Sequence, residues 1–118
     1  MVRPLARMTP ATLDVLSHLV AQDAPTWGLE IAGATGRPTG SVYPILERLE
    51  SHGWVVSDWE AGGARPGARR RLYRLTPDAR DAAMAALQRA RAAAASEQAK
   101  AAAAAPARRP RPALGGAA

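Results

Sequence analysis

The chain has 118 residues, 16 Lys+Arg against 10 Asp+Glu, a net charge of +6 and no cysteine. That length holds one domain and a short extension, and the missing thiols exclude disulfides, thiolate metal sites and thiol redox sensing. No apolar run reaches the ~20 residues that cross a bilayer, and the N-terminus lacks a signal-peptide core, so a soluble cytoplasmic protein is expected.

The basic surplus favours a polyanionic partner, nucleic acid or anionic membrane. It is uneven: Arg65, Arg69, Arg70, Arg71 and Arg74 crowd one stretch, and Arg108, Arg109 and Arg111 another. The only histidines are His18 and His52, and neither a clustered acid/base pair nor a glycine-rich phosphate loop occurs. No catalytic residue, metal ligand or cofactor is therefore assigned, and an enzyme is not expected.

Residues 1–8 carry Arg3 and Arg7 without a regular pattern and read as a flexible arm. Thr9-Pro10 is a helix start, a capping hydroxyl followed by proline at the first helical position. From there to about Ala21, Leu13, Val15, Leu16, Leu19 and Val20 sweep an arc wider than one core contact requires, as when a helix has a second neighbour. His18 lies on the polar edge and reads as a surface residue. After a turn at 23–26, Thr26 is placed to cap a short helix over 27–35. Trp27 and Ile31 are expected on its buried face, with Leu29 and Ala32 around them.

Gly36-Arg37-Pro38 breaks the chain before the central helix. In that helix Val42, Ile45, Leu46 and Leu49 fall at i, i+3, i+4 and i+7, one apolar stripe, and Gly53 is placed to end it in a left-handed turn. Its start is open between two readings. Thr39 as cap would leave the Gly40 carbonyl facing the missing N–H of Pro44, whereas Ser41 or Gly40 as cap puts Pro44 in the first turn. The second is preferred. The opposite side carries Gly40, Ser41, Tyr43, Pro44, Glu47, Arg48 and Ser51, small or hydrogen-bonding near its start rather than the usual Glu/Lys array.

Residues 54–60 and 70–76 are rich in β-branched, aromatic and alternating residues and read as two strands. The stretch 61–69, with Gly62, Gly63, Pro66 and Gly67, forms a basic hairpin tip between them. Helix, short helix, tight break, helix and hairpin is the order of a winged helix-turn-helix. Thr76-Pro77-Asp78 repeats the capped helix start, and an alanine-rich helix is expected from there to about Ala105. Beyond Pro106 the Pro/Arg/Gly/Ala composition predicts a disordered basic tail. The fold class is thus mainly α with a small β-hairpin: residues 1–8 an arm, 9–76 the winged helix, 77–105 a long C-terminal helix, 106–118 the tail.

The strings Trp27-Gly-Leu-Glu-Ile31, Gly40-Ser-Val-Tyr-Pro-Ile-Leu-Glu-Arg-Leu-Glu50, Gly53-Trp-Val-Val-Ser-Asp-Trp59 and Arg70-Arg-Leu-Tyr-Arg-Leu-Thr76 together resemble the PadR family of winged-helix transcriptional regulators. The resemblance covers roughly residues 9–82, with Trp27 where the family commonly has tyrosine. It implies a homodimer in which the C-terminal helix packs on the N-terminal helix of the partner, here through Leu13, Leu16, Leu19, Val20, Met84 and Leu87. The family's usual leucine/isoleucine ladder is replaced by alanine.

The resemblance also implies a transcriptional regulator, commonly a repressor, that binds an inverted repeat of double-stranded DNA. The DNA-facing set is then Arg37, Thr39, Gly40, Ser41, Tyr43, Pro44 and Arg48 on the central helix and its turn, with Arg65, Arg69 and Arg70 on the wing. Some family members release DNA when a small aromatic or drug-like effector enters the dimer interface. Trp27, Trp54 and Trp59 read here as packing, so no ligand is assigned. The alternative reading is a winged-helix protein-interaction module without sequence-specific DNA binding.

Overall fold

The computed structural model describes residues 2–62, 66–67 and 69–104; Arg65 at the hairpin tip and the tail from 106 lie outside the described residues. In chain order the elements are α1 (Pro10–Ala21), β1 (Thr26–Trp27), α2 (Gly28–Thr35), α3 (Thr39–Ser51), β2 (Val55–Trp59), β3 (Arg71–Leu75) and α4 (Pro77–Ala104). The winged-helix expectation holds, with one addition. The sheet has three antiparallel strands in the order β1-β3-β2, because two residues ahead of α2 pair with the hairpin: Thr26 opposite Tyr73 and Trp27 opposite Leu72.

The core is one cluster in which α1 contributes Val15, Leu16 and Leu19, α2 contributes Ile31, and α3 contributes Val42, Ile45, Leu46 and Leu49. Trp54, Val55, Tyr73 and Leu75 close it from the hairpin, and Ala79 and Ala83 from α4. Every member of the α3 stripe is buried, and α3 is thereby fixed in rotation about its own axis.

The helix ends follow local chemistry. Thr9 caps α1, its Oγ1 accepting from the Thr12 amide at 3.1 Å. Thr76 caps α4 in the same way, its Oγ1 accepting from the Ala79 amide at 3.2 Å. At the end of α3, Gly53 takes φ 79°, and the amides of Gly53 and Trp54 donate to the carbonyls of Glu50 and Leu49 at 3.1 and 2.8 Å. This is the paired-bond helix stop that a left-handed glycine permits. From the other side of the domain, Arg80 donates through Nη1 to the Val20 carbonyl at 2.8 Å and through Nη2 to that of Gln22 at 3.2 Å. The first turn of α4 therefore caps the C-terminus of α1.

Several expectations are corrected. The segment 2–8 is pinned rather than loose: Trp54 Nε1 donates to the Arg3 carbonyl at 2.6 Å, the Arg3 amide donates to the His52 carbonyl at 3.0 Å, and Val2, Leu5 and Met8 pack on the core. Thr26 does not cap α2; its buried hydroxyl donates instead to Glu30 Oε2 at 2.6 Å. Leu29 is 64% exposed, since residues two apart on a helix point to nearly opposite sides and Ile31 has the core. His18 is half-buried rather than fully at the surface, and its Nε2 is without a hydrogen-bond partner among the described residues.

Helix α3 begins at Thr39 with Pro38 as its cap residue, two or three positions earlier than Gly40 or Ser41 as cap would have it. The Pro38 carbonyl accepts from both Ser41 and Val42, at 2.9 and 3.1 Å. Pro44 therefore sits inside the helix. The Gly40 carbonyl that loses its donor is at an exposed position.

The chain divides into two compact units between Gln88 and Arg89, and α4 contributes to both. In the first unit α4 buries Ala79, Ala83 and Ala86. In the second it is an alanine-rich helix in which every residue from Arg91 to Ala104 is exposed. Among the described residues no helix is long and apolar enough to cross a membrane.

Candidate nucleic-acid interface

The buried stripe of α3 dictates what its other side presents. Thr39, Gly40, Tyr43, Pro44, Glu47 and Arg48 are exposed and Ser41 is half-buried. From Thr39 to Pro44 this surface carries no carboxylate, and Glu47 comes only a turn later. The cap residue Pro38 makes no side-chain bond to the first turn, so the helix N-terminus keeps its positive dipole end facing outward. A Cβ at Gly40 would meet nothing within 4 Å, so position 40 is a flat place on this face.

Tyr43 is held by a neighbour that sequence reasoning passed over. Its ring lies on the backbone of Gly28, at the start of α2. A Cβ added there would stand 2.6 Å from Tyr43 Cζ and 2.8 Å from its hydroxyl oxygen. The absence of a side chain at position 28 therefore lets the tyrosine lie down against α2 while remaining 42% exposed. The only sequence signal was a glycine at the head of a helix, where its helix penalty is small.

Arg37, expected on the DNA-facing side, also has a partner within the chain. Its Nε and Nη2 both meet Asp14 Oδ2 at 2.9 Å, which ties the α2–α3 turn to α1. Gly36 takes φ 72° at the end of α2, and the Arg37 amide donates to Thr35 Oγ1 at 3.3 Å. The guanidinium thus orients the turn that launches α3.

The wing is anchored to α3 by a polar chain: Arg71 Nε donates to Ser57 Oγ at 3.0 Å, and Ser57 Oγ donates to Glu50 Oε2. Tyr73 faces Ser57 across the ladder; burial, with help from the Glu50 carboxylate, pushes its phenol above the ordinary value of 10.0. At the base of the wing the Glu60 amide donates to the Arg70 carbonyl and the Arg70 amide to Glu60 Oε1, both at 2.9 Å. The Arg70 guanidinium stacks on Trp27 with Cζ 3.9 Å from the ring centroid, and that of Arg71 lies 5.2 Å from the centroid of Trp59. Such stacking holds an arginine in one orientation while leaving its edge N–H groups available.

The structure thus gathers Thr39, Gly40, Ser41, Tyr43, Pro44 and Arg48 on one exposed helix surface, with Tyr43, Arg69 and Arg70 lining one groove between α3 and the wing. Of the six residues expected at a dimer contact, Leu16 and Leu19 are consumed by the chain's own core, 0% and 2% exposed. Leu13, Val20 and Leu87 are half-buried and Met84 is 45% exposed.

A β-hairpin wing, part of a three-stranded sheet, beside a helix-turn-helix whose second helix turns an uncharged, hydroxyl-bearing N-terminal half outward defines a winged-helix DNA-binding protein. The family model described as "Transcriptional regulator PadR-like family" matches residues 15–85, more than half of the chain. The chain belongs to that family, which consists of transcription regulators and not enzymes. Among solved structures, a PadR family transcription regulator from Clostridium difficile is 26% identical, with a TM-score of 0.55 over 67% of this chain and 86% of that one. Bacillus subtilis PadR in complex with operator DNA is 17% identical with a TM-score of 0.57, covering 69% of this chain and 48% of that one. A variant of Lactococcus lactis ZitR is 17% identical with a TM-score of 0.62, covering 86% and 65%. The chain thus spans less than two thirds of the latter two structures. Among curated proteins none matches significantly.

Proposed function

We propose that the chain is a sequence-specific regulator of transcription that acts as a homodimer on an inverted-repeat operator, as a repressor, in the cytoplasm on the nucleoid. The observation that carries this reading is the exposed, carboxylate-free first half of α3 standing beside an arginine-bearing wing. Helix α3 enters the major groove N-terminus first. Thr39, Ser41 and the Tyr43 hydroxyl donate to bases or phosphates, Gly40 and Pro44 allow close approach, and Arg48 reaches a flanking phosphate. Arg69 and Arg70, with Arg65, follow the phosphates of the same half-site. Arg37 acts one step back, by orienting the α2–α3 turn through Asp14.

In the same reading residues 9–76 bind DNA and 77–105 carry dimerisation, the partner meeting Leu13, Val20, Met84 and Leu87. The tail from 106 adds non-specific charge. Two modules related by a two-fold axis address half-sites about 34 Å apart. Repression follows if such a dimer occupies promoter DNA. The B. subtilis relative, seen with operator DNA, supports the DNA partner.

Fluorescence anisotropy with duplex fragments from the protein's own upstream region tests this reading. One fragment is expected to bind at least about a thousandfold more tightly than a scrambled duplex of equal length. Equal affinity for both would return the chain to the protein-interaction reading.

A further inference from the structure

The hydrophobic core reaches only the base of the wing. Across the ladder Val55 faces Leu75, Ser57 faces Tyr73 and Trp59 faces Arg71. Val55, Tyr73 and Leu75 are buried. Beyond Val55 in β2, and from Tyr73 toward the tip in β3, no strand residue is: Ser57, Arg71 and Leu72 are half-buried, and Val56, Asp58 and Trp59 are exposed. Strand β1 pairs with Tyr73 and Leu72, which ties the hairpin to the start of α2 and not to α3. A hairpin without a packed face is marginal by itself, so packing alone does not set the direction of the outer wing relative to α3. A hydroxyl does: Ser57 Oγ on β2 accepts from Arg71 Nε on β3 at 3.0 Å and donates to Glu50 Oε2 on α3. It is used in both directions, each time with a partner whose ordinary form is charged, and such bonds are the stronger kind. Glu50 directly follows Leu49, the last member of the buried stripe, so the carboxylate sits on the part of α3 that packing fixes. At the other end the Arg71 guanidinium lies 5.2 Å from the centroid of Trp59, and Arg70 and Arg69 continue from Arg71 toward the tip.

We propose that Ser57 is a positioning residue for DNA discrimination: by bonding Glu50 and Arg71 at once, it sets the angle of the outer wing to α3. Helix and wing cations then engage a half-site as one body. Phosphate contacts hold a base-reading helix in register, so a wing free to swing weakens the specific complex. Non-specific attraction to phosphates tolerates many orientations and is spared. The effect on DNA rests on the proposed function, whereas the stiffness of the wing does not.

The test compares the full parent chain with Ser57→Ala and with Ser57→Thr, which keeps the hydroxyl and suits a strand. Ser57 lies outside the buried core, so both variants should fold. In native-state hydrogen exchange without DNA, the amides of Glu60 and Arg70, which bond across the outer wing, should exchange ~10-fold faster in Ser57→Ala. The amide of the fully buried Leu46 should not accelerate by that factor, and Ser57→Thr should behave as the parent. With DNA, Ser57→Ala should bind the upstream duplex ~10-fold more weakly and the scrambled duplex as the parent does. Arg69→Gln with Arg70→Gln should then cost the Ser57→Ala chain less upstream affinity than it costs the parent. Unchanged exchange at Glu60 and Arg70, equal acceleration at Leu46, or no restoration by Ser57→Thr would overturn the role of the hydroxyl. A looser wing with the upstream duplex bound as tightly as by the parent, or equal losses for both duplexes, would overturn its part in discrimination. A parent that does not prefer the upstream duplex would overturn the proposed function and discrimination together, while faster exchange in Ser57→Ala would still uphold the attachment of the wing.

Discussion

In α3 four large apolar side chains, Val42, Ile45, Leu46 and Leu49, recur at helical spacing and all are buried; α4, with 28 residues against 13, buries only Ala79, Ala83 and Ala86. Both are regular helices, for different reasons. The first is held by packing, which fixes its rotation and hence what its outer side presents. The second relies on alanine's intrinsic preference beyond Gln88, and an alanine offers little area to any neighbour. A recognition surface needs the first kind of helix.

The sharpest way to break that contrast is a substitution in each helix. Leu46→Ala, at a fully buried site, should cost about 2–5 kcal/mol by urea denaturation. Ala94→Gly in α4 should cost about 1 kcal/mol at most. Equal losses would erase the distinction. The next largest effect concerns dimerisation: Met84→Glu with Leu87→Glu should leave a folded monomer, with the dimer weakened by roughly 100-fold or more in sedimentation equilibrium, since two charges would enter an apolar contact. An unchanged dimer would move the interface elsewhere.

On the outer side of α3, Tyr43→Phe removes one exposed donor. Duplex affinity should fall by about 1 kcal/mol at unchanged melting temperature; unaltered affinity would strike the hydroxyl from the interface. The smallest effect is a pH dependence. The Tyr73 phenol titrates above 10.0 in the folded chain, so the unfolded chain loses this proton first. The stability that the neutral phenol contributes is complete below the unfolded pKa and is lost as pH rises through the folded one. Tyr73→Phe should flatten the decline of stability above pH 10.0; an unaltered decline would assign it to other groups.

How much of this was legible in the sequence follows the range of the forces involved. Local caps and helical spacing mark α1, the body of α3, the hairpin and the start of α4, because Thr9, Thr76, Gly53 and the Val42–Leu49 stripe act on their immediate neighbours. The start of α3 lies earlier than its sequence suggests: Pro44 sits inside the helix, and the Gly40 carbonyl that loses its donor is at an exposed position. Strand β1 was invisible: two residues become a strand only by pairing with Leu72 and Tyr73. The same holds for Arg37, whose partner Asp14 is 23 residues away, and for Gly28, whose purpose is the ring of Tyr43. Leu16 and Leu19 are expected at a partner through the resemblance alone, since periodicity marks an apolar face without saying which neighbour covers it.

The most direct measurement is the salt dependence of duplex affinity for the parent chain and for Arg69→Gln with Arg70→Gln. If α3 and the wing grip one half-site, log K falls steeply with log salt in the parent. The slope in the double variant is then shallower by about 0.9 for each phosphate that the wing no longer neutralises. Identical slopes for the two proteins would place the DNA on some other surface and contradict the account.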